Sequence, residues 1–225
     1  MEERSIAIDG PAGAGKSTLA RMTANHFGLI YVDTGALYRT VGLFVLESGR
    51  DTKDAKAVAE MLHDIKVDMH YDADRRQRML LNGRDVTDLI RTPQASLAAA
   101  DVSAIPAVRA FLLNMQREMA VRYDVVMDGR DIGTVVLPNA GLKVFLTASP
   151  EARARRRYEE LAAQNVSITF DEVLHDIILR DKSDTQRAVA PLRVADDAVV
   201  LDTTDMSLNE CFLWLCNIIE ERLGL

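Results

Sequence analysis

Apolar residues along this chain fall into short unbroken runs, separated by longer stretches in which they recur every three or four positions. The runs at residues 5–8, 29–32, 125–127, 143–146 and 199–201 are apolar or rich in β-branched residues and end in polar or turn residues. Strands buried on both faces read this way. Helical spacing fills the intervals at 36–46, 55–64, 93–104, 106–121, near 170–179, and at 208–223. Pro106 suits a first helical position, and Val108, Leu112, Met115 and Met119 form one core-directed stripe behind it. The last helix presents Phe212, Leu215, Ile218, Ile219 and Leu223, enough to cap a sheet. Strands alternating with helices predict an α/β fold, a five-stranded parallel sheet flanked by helices. Ligands of such sheets bind beyond the carboxyl ends of the strands. Gly10, Asp33, Asp128 and Thr147 are expected along that edge, around one crevice.

Two segments break the alternation. About ninety residues separate the second and third runs, far more than one crossover helix requires. Within them, 67–71 and 78–81 are strand-like and Asn82-Gly83 is a hairpin-turn signal, predicting a small antiparallel excursion. A second excursion, from 150 to about 187, opens with Arg153, Arg155, Arg156 and Arg157.

Candidate chemistry begins at the first strand. Residues 10–17 read Gly-Pro-Ala-Gly-Ala-Gly-Lys-Ser, a complete G-x-x-x-x-G-K-[ST] phosphate loop between a strand and a helix. A turn that wraps a polyphosphate must bring backbone N–H groups to it, and Gly10, Gly13 and Gly15, with Pro11, Ala12 and Ala14 between them, keep Cβ atoms out of the way. The helix starting near Lys16, with Thr18 in its first turn, points unsatisfied N–H groups and its positive dipole end at the anion. Lys16 reaches the β- and γ-phosphates and the Ser17 hydroxyl can ligate Mg²⁺. The third strand ends in Asp128, placed like the carboxylate that helps hold Mg²⁺, directly or through water, in such sites. Asp33 or Thr34 can cap the helix after the second strand, and Arg39, one turn in, is placed to grip a phosphate bidentately.

Three stretches together resemble bacterial cytidylate kinases: Asp-Gly-Pro-Ala-Gly-Ala-Gly-Lys-Ser at 9–17, Asp-Thr-Gly-Ala-Leu-Tyr-Arg at 33–39 and Asp-Gly-Arg-Asp-Ile-Gly-Thr-Val-Val at 128–136. Residues 180–192 resemble that family's lid and following segment, and Ile90-Arg91-Thr92-Pro93 and Ala107-Val108-Arg109 fit as well. The resemblance implies a P-loop kinase in which ATP, with Mg²⁺, phosphorylates CMP or dCMP. It implies one domain over 1–225, with a core of about 1–62, 91–149 and 188–225, a monophosphate-binding insertion of about 63–90 and a lid of about 150–187. It implies that Arg39, Arg130 and Arg187 hold the acceptor phosphate, with Asp33 and Thr34 beside it. Arg109 and Asp131 read the cytosine edge, Arg180 and Asp184 meet the sugar hydroxyls, and Arg153 and Arg157 approach the ATP phosphates. The arginine cluster reads equally well as a solvated helix face. One departure from the family bears on the base: Ala100 stands where a serine assists cytosine recognition, while Asp101 and Ser103 point elsewhere on their helix. Losing that bond would loosen base reading by roughly 0.5–1.5 kcal/mol. Thr147 stands where an Asp often follows the fourth strand.

Composition narrows the partners further. With 48% hydrophobic and 27% charged residues the chain has the make-up of a globular protein, and its net charge of −7 argues against a nucleic-acid polymer. No run approaches bilayer-spanning length, and Met1-Glu2-Glu3-Arg4 leads straight into the first strand, so a cytoplasmic monomer without a leader is expected. Cys211 and Cys216, five apart, read as reduced core residues. The remaining alternatives are a P-loop kinase for another small acceptor, UMP or a shikimate-like compound, and a non-catalytic nucleotide-binding module. A GTP switch would carry an Asn-Lys-x-Asp motif, which the sequence lacks.

Overall fold

A computed structural model of the chain describes residues 4–74, 76–163 and 165–225. Met1–Glu3, read above as leading into the first strand, lie outside them. In chain order the elements are β1 (Ile6–Asp9), α1 (Lys16–Phe27), β2 (Ile30–Asp33), α2 (Thr34–Glu47), α3 (Ala55–Met61), β3 (Val67–Tyr71), β4 (Gln77–Leu81), β5 (Arg84–Asp85), α4 (Pro93–Ser103), α5 (Pro106–Arg122), β6 (Val125–Gly129), β7 (Leu142–Thr147), α6 (Pro150–Ala163), α7 (Phe170–Gln186), β8 (Val199–Asp202) and α8 (Leu208–Leu223). Contacts divide the chain into two compact units, one running to Tyr31 and resuming over Tyr123–Leu225, the other Val32–Arg122. The boundary falls inside β2.

The expected five-stranded sheet is present, in the order β2-β6-β1-β7-β8. β1 pairs in parallel with β6 and β7, and β7 with β8, so Asp9 lies level with Gly129 and Phe145. In the first unit Ile6, Ile8, Val126, Val144 and Leu146 pack with Leu19 and Ala24 of α1 and Leu215 and Ile219 of α8. Cys211 and Cys216 are buried and free. A satellite core of Ala154, Leu161, Val173 and Ile177 joins α6 to α7, and α7 runs on to Gln186, well past the predicted 179, carrying Arg180 and Asp184 on helix.

In the second unit, α2, α4 and α5 share a core with β3 and β4 that includes Leu37, Val41, Met79, Ile90, Val102 and Leu112. The helix predicted over 55–64 ends at Met61 and tightens into a 3₁₀ turn, Leu62–Asp64. The antiparallel excursion is present with a different connection. Asn82 (φ 50°) and Gly83 (φ 82°) form the turn, yet they join β4 to a short third strand, β5, while residues 72–76 join β3 to β4. A two-residue turn needing positive φ at both positions is readable from Asn-Gly; a two-residue exposed strand has no apolar pattern to read. Along α5 the buried stripe runs through Val108, Arg109, Leu112, Gln116 and Ala120, so it is partly polar, with Met115 only partly covered. No single helix among the described residues is long and apolar enough to cross a membrane.

Candidate active site

In the first unit the phosphate loop leaves β1 with Gly10, Gly13 and Gly15 all at positive φ. At Gly10 the requirement is also steric, because a Cβ there would lie 1.9 Å from the backbone oxygen of Leu146 on the neighbouring β7. Gly10→Ala is therefore expected to cost roughly 3 kcal/mol of stability and to weaken ATP binding, read by chemical denaturation and calorimetry. An unchanged denaturation midpoint would show that β1 and β7 move apart freely.

The helix behind the loop is built to leave its donors available. Gly15 caps α1 without a side-chain bond, and no acidic residue stands in its first turn. Asp33, Asp54, Thr92, Thr169 and Ser207 by contrast each accept from the first turn of their helices. Lys16 is buried and donates from Nζ to the Pro11 carbonyl at 2.6 Å. Burial, then the nearby Arg130 charge, hold its ammonium pKa well below the ordinary lysine range, with Asp128 pulling the other way.

Ser17 Oγ donates to Asp128 Oδ2 at 2.8 Å, and Tyr31 donates its hydroxyl to Oδ1 at 2.9 Å. A hydroxyl and a carboxylate are hard oxygen donors, and few protein ligands are what Mg²⁺ takes when phosphates and water complete its shell. Two adjacent ligands in an octahedron of about 2.05 Å bonds stand roughly 2.9 Å apart, close to the Ser17–Asp128 separation. The pair fits the ion. Tyr31, inside an apolar run, gave no sequence signal for this role.

Asp9 accepts from the amides of Ile132 and Gly133 at 2.8 and 2.7 Å. Burial pushes its pKa up to about 6 against those two bonds. The amides open a π-helical turn, Ile132–Val136, whose β-branched sequence reads as strand. Just before the turn, Arg130 donates from Nε to Asp184 Oδ2 at 2.7 Å, and Asp131 Oδ1 accepts from Arg187 Nη2 at 3.2 Å. Burial opposes ionisation of Asp184, but the charge and hydrogen bond of Arg130, with Arg180 and Arg187 behind them, hold its pKa below the ordinary range. Four predicted acceptor-side residues are thus paired two by two in one unit.

The arginine cluster on α6 separates into distinct roles. Arg153 is buried and donates to the Ala148 carbonyl at 2.9 Å, to the phosphate-loop carbonyl of Ala12 at 3.1 Å, and to both oxygens of Asp181 at 2.9 and 2.5 Å. Arg156 binds Thr203, and the exposed Arg157 pairs with Glu160 one turn along its own helix. Arg153 therefore ties the phosphate loop to α7 through Asp181, a partner 28 positions away that no local pattern indicates. The Thr147 carbonyl accepts from the amide and hydroxyl of Thr203.

In the second unit Asp33, not Thr34, caps α2, its Oδ1 accepting from Ala36 N at 2.9 Å. Its other oxygen accepts from Arg39 at 2.7 Å and Arg91 at 3.0 Å, and its backbone pairs with the Gln77 amide. Burial raises the Asp33 pKa, but Arg39, Arg91 and the Ala36 amide outweigh it and hold the carboxyl below its ordinary 3.8. That stabilisation is complete above the unfolded value and is lost as pH falls through the folded one. Asp33→Asn is expected to cost roughly 3 kcal/mol at pH 7, with wild-type and variant urea midpoints converging in acid. A constant gap across pH would remove Asp33 as an ionised anchor. Arg109 donates to the Ser103 carbonyl at 3.2 Å and lies 5.6 Å over the Tyr38 ring. Near Ala100, the Ser103 hydroxyl turns back to the Ala100 carbonyl and Asp101 accepts from Thr52.

A family model described as Cytidylate kinase matches residues 6–221. The chain belongs to the cytidylate kinase family. A cytidylate kinase of Carboxydothermus hydrogenoformans is 49% identical over 219 residues, covering 96% of this chain and 97% of that one. Another, from Caldicellulosiruptor bescii, is 49% identical over 210 residues, with 93% and 92% covered. A crystal structure of an uncharacterized protein from Eubacterium ventriosum matches with a TM-score of 0.55 at 14% identity, covering 98% of this chain and 99% of that one. That likeness speaks to the fold alone. Membership in the cytidylate kinase family spans both units of the chain.

Proposed function

We propose that the protein transfers the γ-phosphoryl group of ATP to CMP or dCMP, giving ADP and CDP or dCDP. The observation that carries this reading is the phosphate loop joined through Ser17 to Asp128, two residues before Arg130. Family membership supports the choice of acceptor; no feature of the site favours UMP or a shikimate-like compound over it.

Phosphoryl transfer needs positioning and charge neutralisation more than covalent chemistry. Lys16 and the backbone N–H groups of residues 12–18 neutralise and orient the donor triphosphate. Ser17 and Asp128 would hold Mg²⁺, which draws charge from the β- and γ-phosphates when it binds with ATP. Arg39, Arg130 and Arg187 are assigned to the acceptor phosphate, with Thr34 beside it and Asp33 fixing Arg39 and capping its helix. An acceptor oxygen attacks the γ-phosphorus, the bond to the β-bridging oxygen breaks, and ADP leaves. The acceptor phosphate is already an anion near neutral pH, so no general base is assigned. Arg109 and Asp131 read the cytosine edge, and Arg180 and Asp184 meet the sugar hydroxyls. Arg153 and Arg157 are assigned to the ATP phosphates as arginines of the lid of about 150–187; Arg153 already anchors the loop through Ala12, and Arg157 would have to leave Glu160 to reach them. The monophosphate-binding insertion of about 63–90 completes the assignment.

The test offers CMP, dCMP, UMP, AMP, GMP and shikimate separately with Mg·ATP and follows ADP. Turnover with CMP and dCMP is expected. Comparable use of UMP would trace to loosened base reading at Ala100, and activity only with another acceptor would overturn the substrate. ADP formation that ignores every acceptor, with no rise in melting temperature on adding CMP, would overturn the kinase reading.

A further inference from the structure

The segment Ile90-Arg91-Thr92-Pro93 contains a charge for which the acceptor assignments above have no use. Its setting is rigid. Ile90 is fully buried and bonds to the Val86 carbonyl, while Thr92 caps α4 by accepting from Ala95. Arg91 is held between them in a single 3₁₀ turn, Leu89–Arg91. Its guanidinium donates through Nη1 to the same Asp33 oxygen that binds Arg39, 58 positions earlier in the chain than Arg91.

We propose that Arg91 is a second guanidinium of the acceptor-phosphate site, acting beside Arg39. The inference rests on the assignment of Arg39 to that phosphate. One carboxylate faces two guanidiniums, and its other oxygen is taken by the helix cap. Among the described residues no other carboxylate pairs with either arginine. The niche therefore keeps one positive charge in excess, and the positive end of α2 adds to it. Donors remain as well as charge. Arg39 Nε is buried with no partner, and Arg91 commits one nitrogen while its side chain stays 53% exposed. Gly35 keeps the space clear, since a Cβ there would stand 2.9 Å from Arg39 Nη1 and 3.2 Å from Asp33 Oδ1. Two forked guanidiniums suit the oxygens of a phosphate monoester better than a single carboxylate or a halide.

The experiment compares CMP with cytidine, which lacks the phosphate, by titration calorimetry on the full chain. Arg91→Met is expected to weaken CMP roughly 10- to 100-fold, the factor carried by a hydrogen bond to a charged group, and to leave cytidine binding unchanged. Unchanged CMP affinity overturns the proposal. So does equal weakening of both ligands, which marks a general disturbance and not a phosphate contact. Should the Met variant fail to fold, Arg91→Lys keeps the charge on Asp33 and is read the same way. Failure of the wild-type protein to bind CMP would instead overturn the acceptor reading itself, and the role of Arg91 with it.

Discussion

Lys16→Met is expected to give a folded protein whose turnover is reduced roughly 10³-fold or more. The two effects separate because the lysine is costly in the free protein. Its ammonium is buried, spends one bond on the Pro11 carbonyl and faces the like charge of Arg130. A methionine of similar length removes that buried charge, so the urea midpoint should hold or rise while activity collapses. The triphosphate restores the missing counter-charge. A lysine whose pKa is depressed without ligand and recovers with ATP takes up protons on binding, over the pH window between the two values. Calorimetry in two buffers of different ionisation enthalpy measures that uptake, and Lys16→Met should abolish it. Turnover within tenfold of wild type would refute the phosphate-loop assignment; a proton uptake that survives in the variant would assign the titration to another group.

The parts of this site legible in the sequence are those whose chemistry is local. A phosphate loop is set by backbone geometry within eight residues, so glycine positions, Lys16 and Ser17 announce it. The five strands are likewise readable from short apolar runs, and each lies within one or two residues of its expected place. What stays hidden is pairing at a distance. Nothing around residue 91 indicates that its partner is Asp33, and nothing in Ile-Gly-Thr-Val-Val indicates a π-turn fixed by Asp9, 123 positions from Ile132. The arginines of α6 show the same limit. Composition alone treats residues 153–157 as one basic patch, but only the fold decides that Arg153 is buried against the phosphate loop while Arg157 faces Glu160. Sheet order is hidden for a related reason: β1 lies between β6 and β7, both more than a hundred residues downstream.

Arg130→Met is expected to damage acceptor use about 10³-fold in kcat/KM for CMP and to leave the KM for ATP near its wild-type value. The structural part of the effect must be separated from the functional part, because Arg130 also neutralises Asp184. Both side chains are largely buried, and removing one partner of such a pair costs roughly 3 kcal/mol. The Asp184 carboxyl, held below the ordinary range mainly by Arg130, should then titrate higher, so the variant loses less stability than wild type on acidification. Adding Asp184→Asn to Arg130→Met removes the stranded charge and should recover much of the stability. It should recover none of the CMP activity, since the guanidinium for the phosphate is still missing. Recovery of activity together with stability would make Arg130 a positioning residue for α7. Wild-type CMP kinetics in the single variant would take it out of the acceptor site altogether.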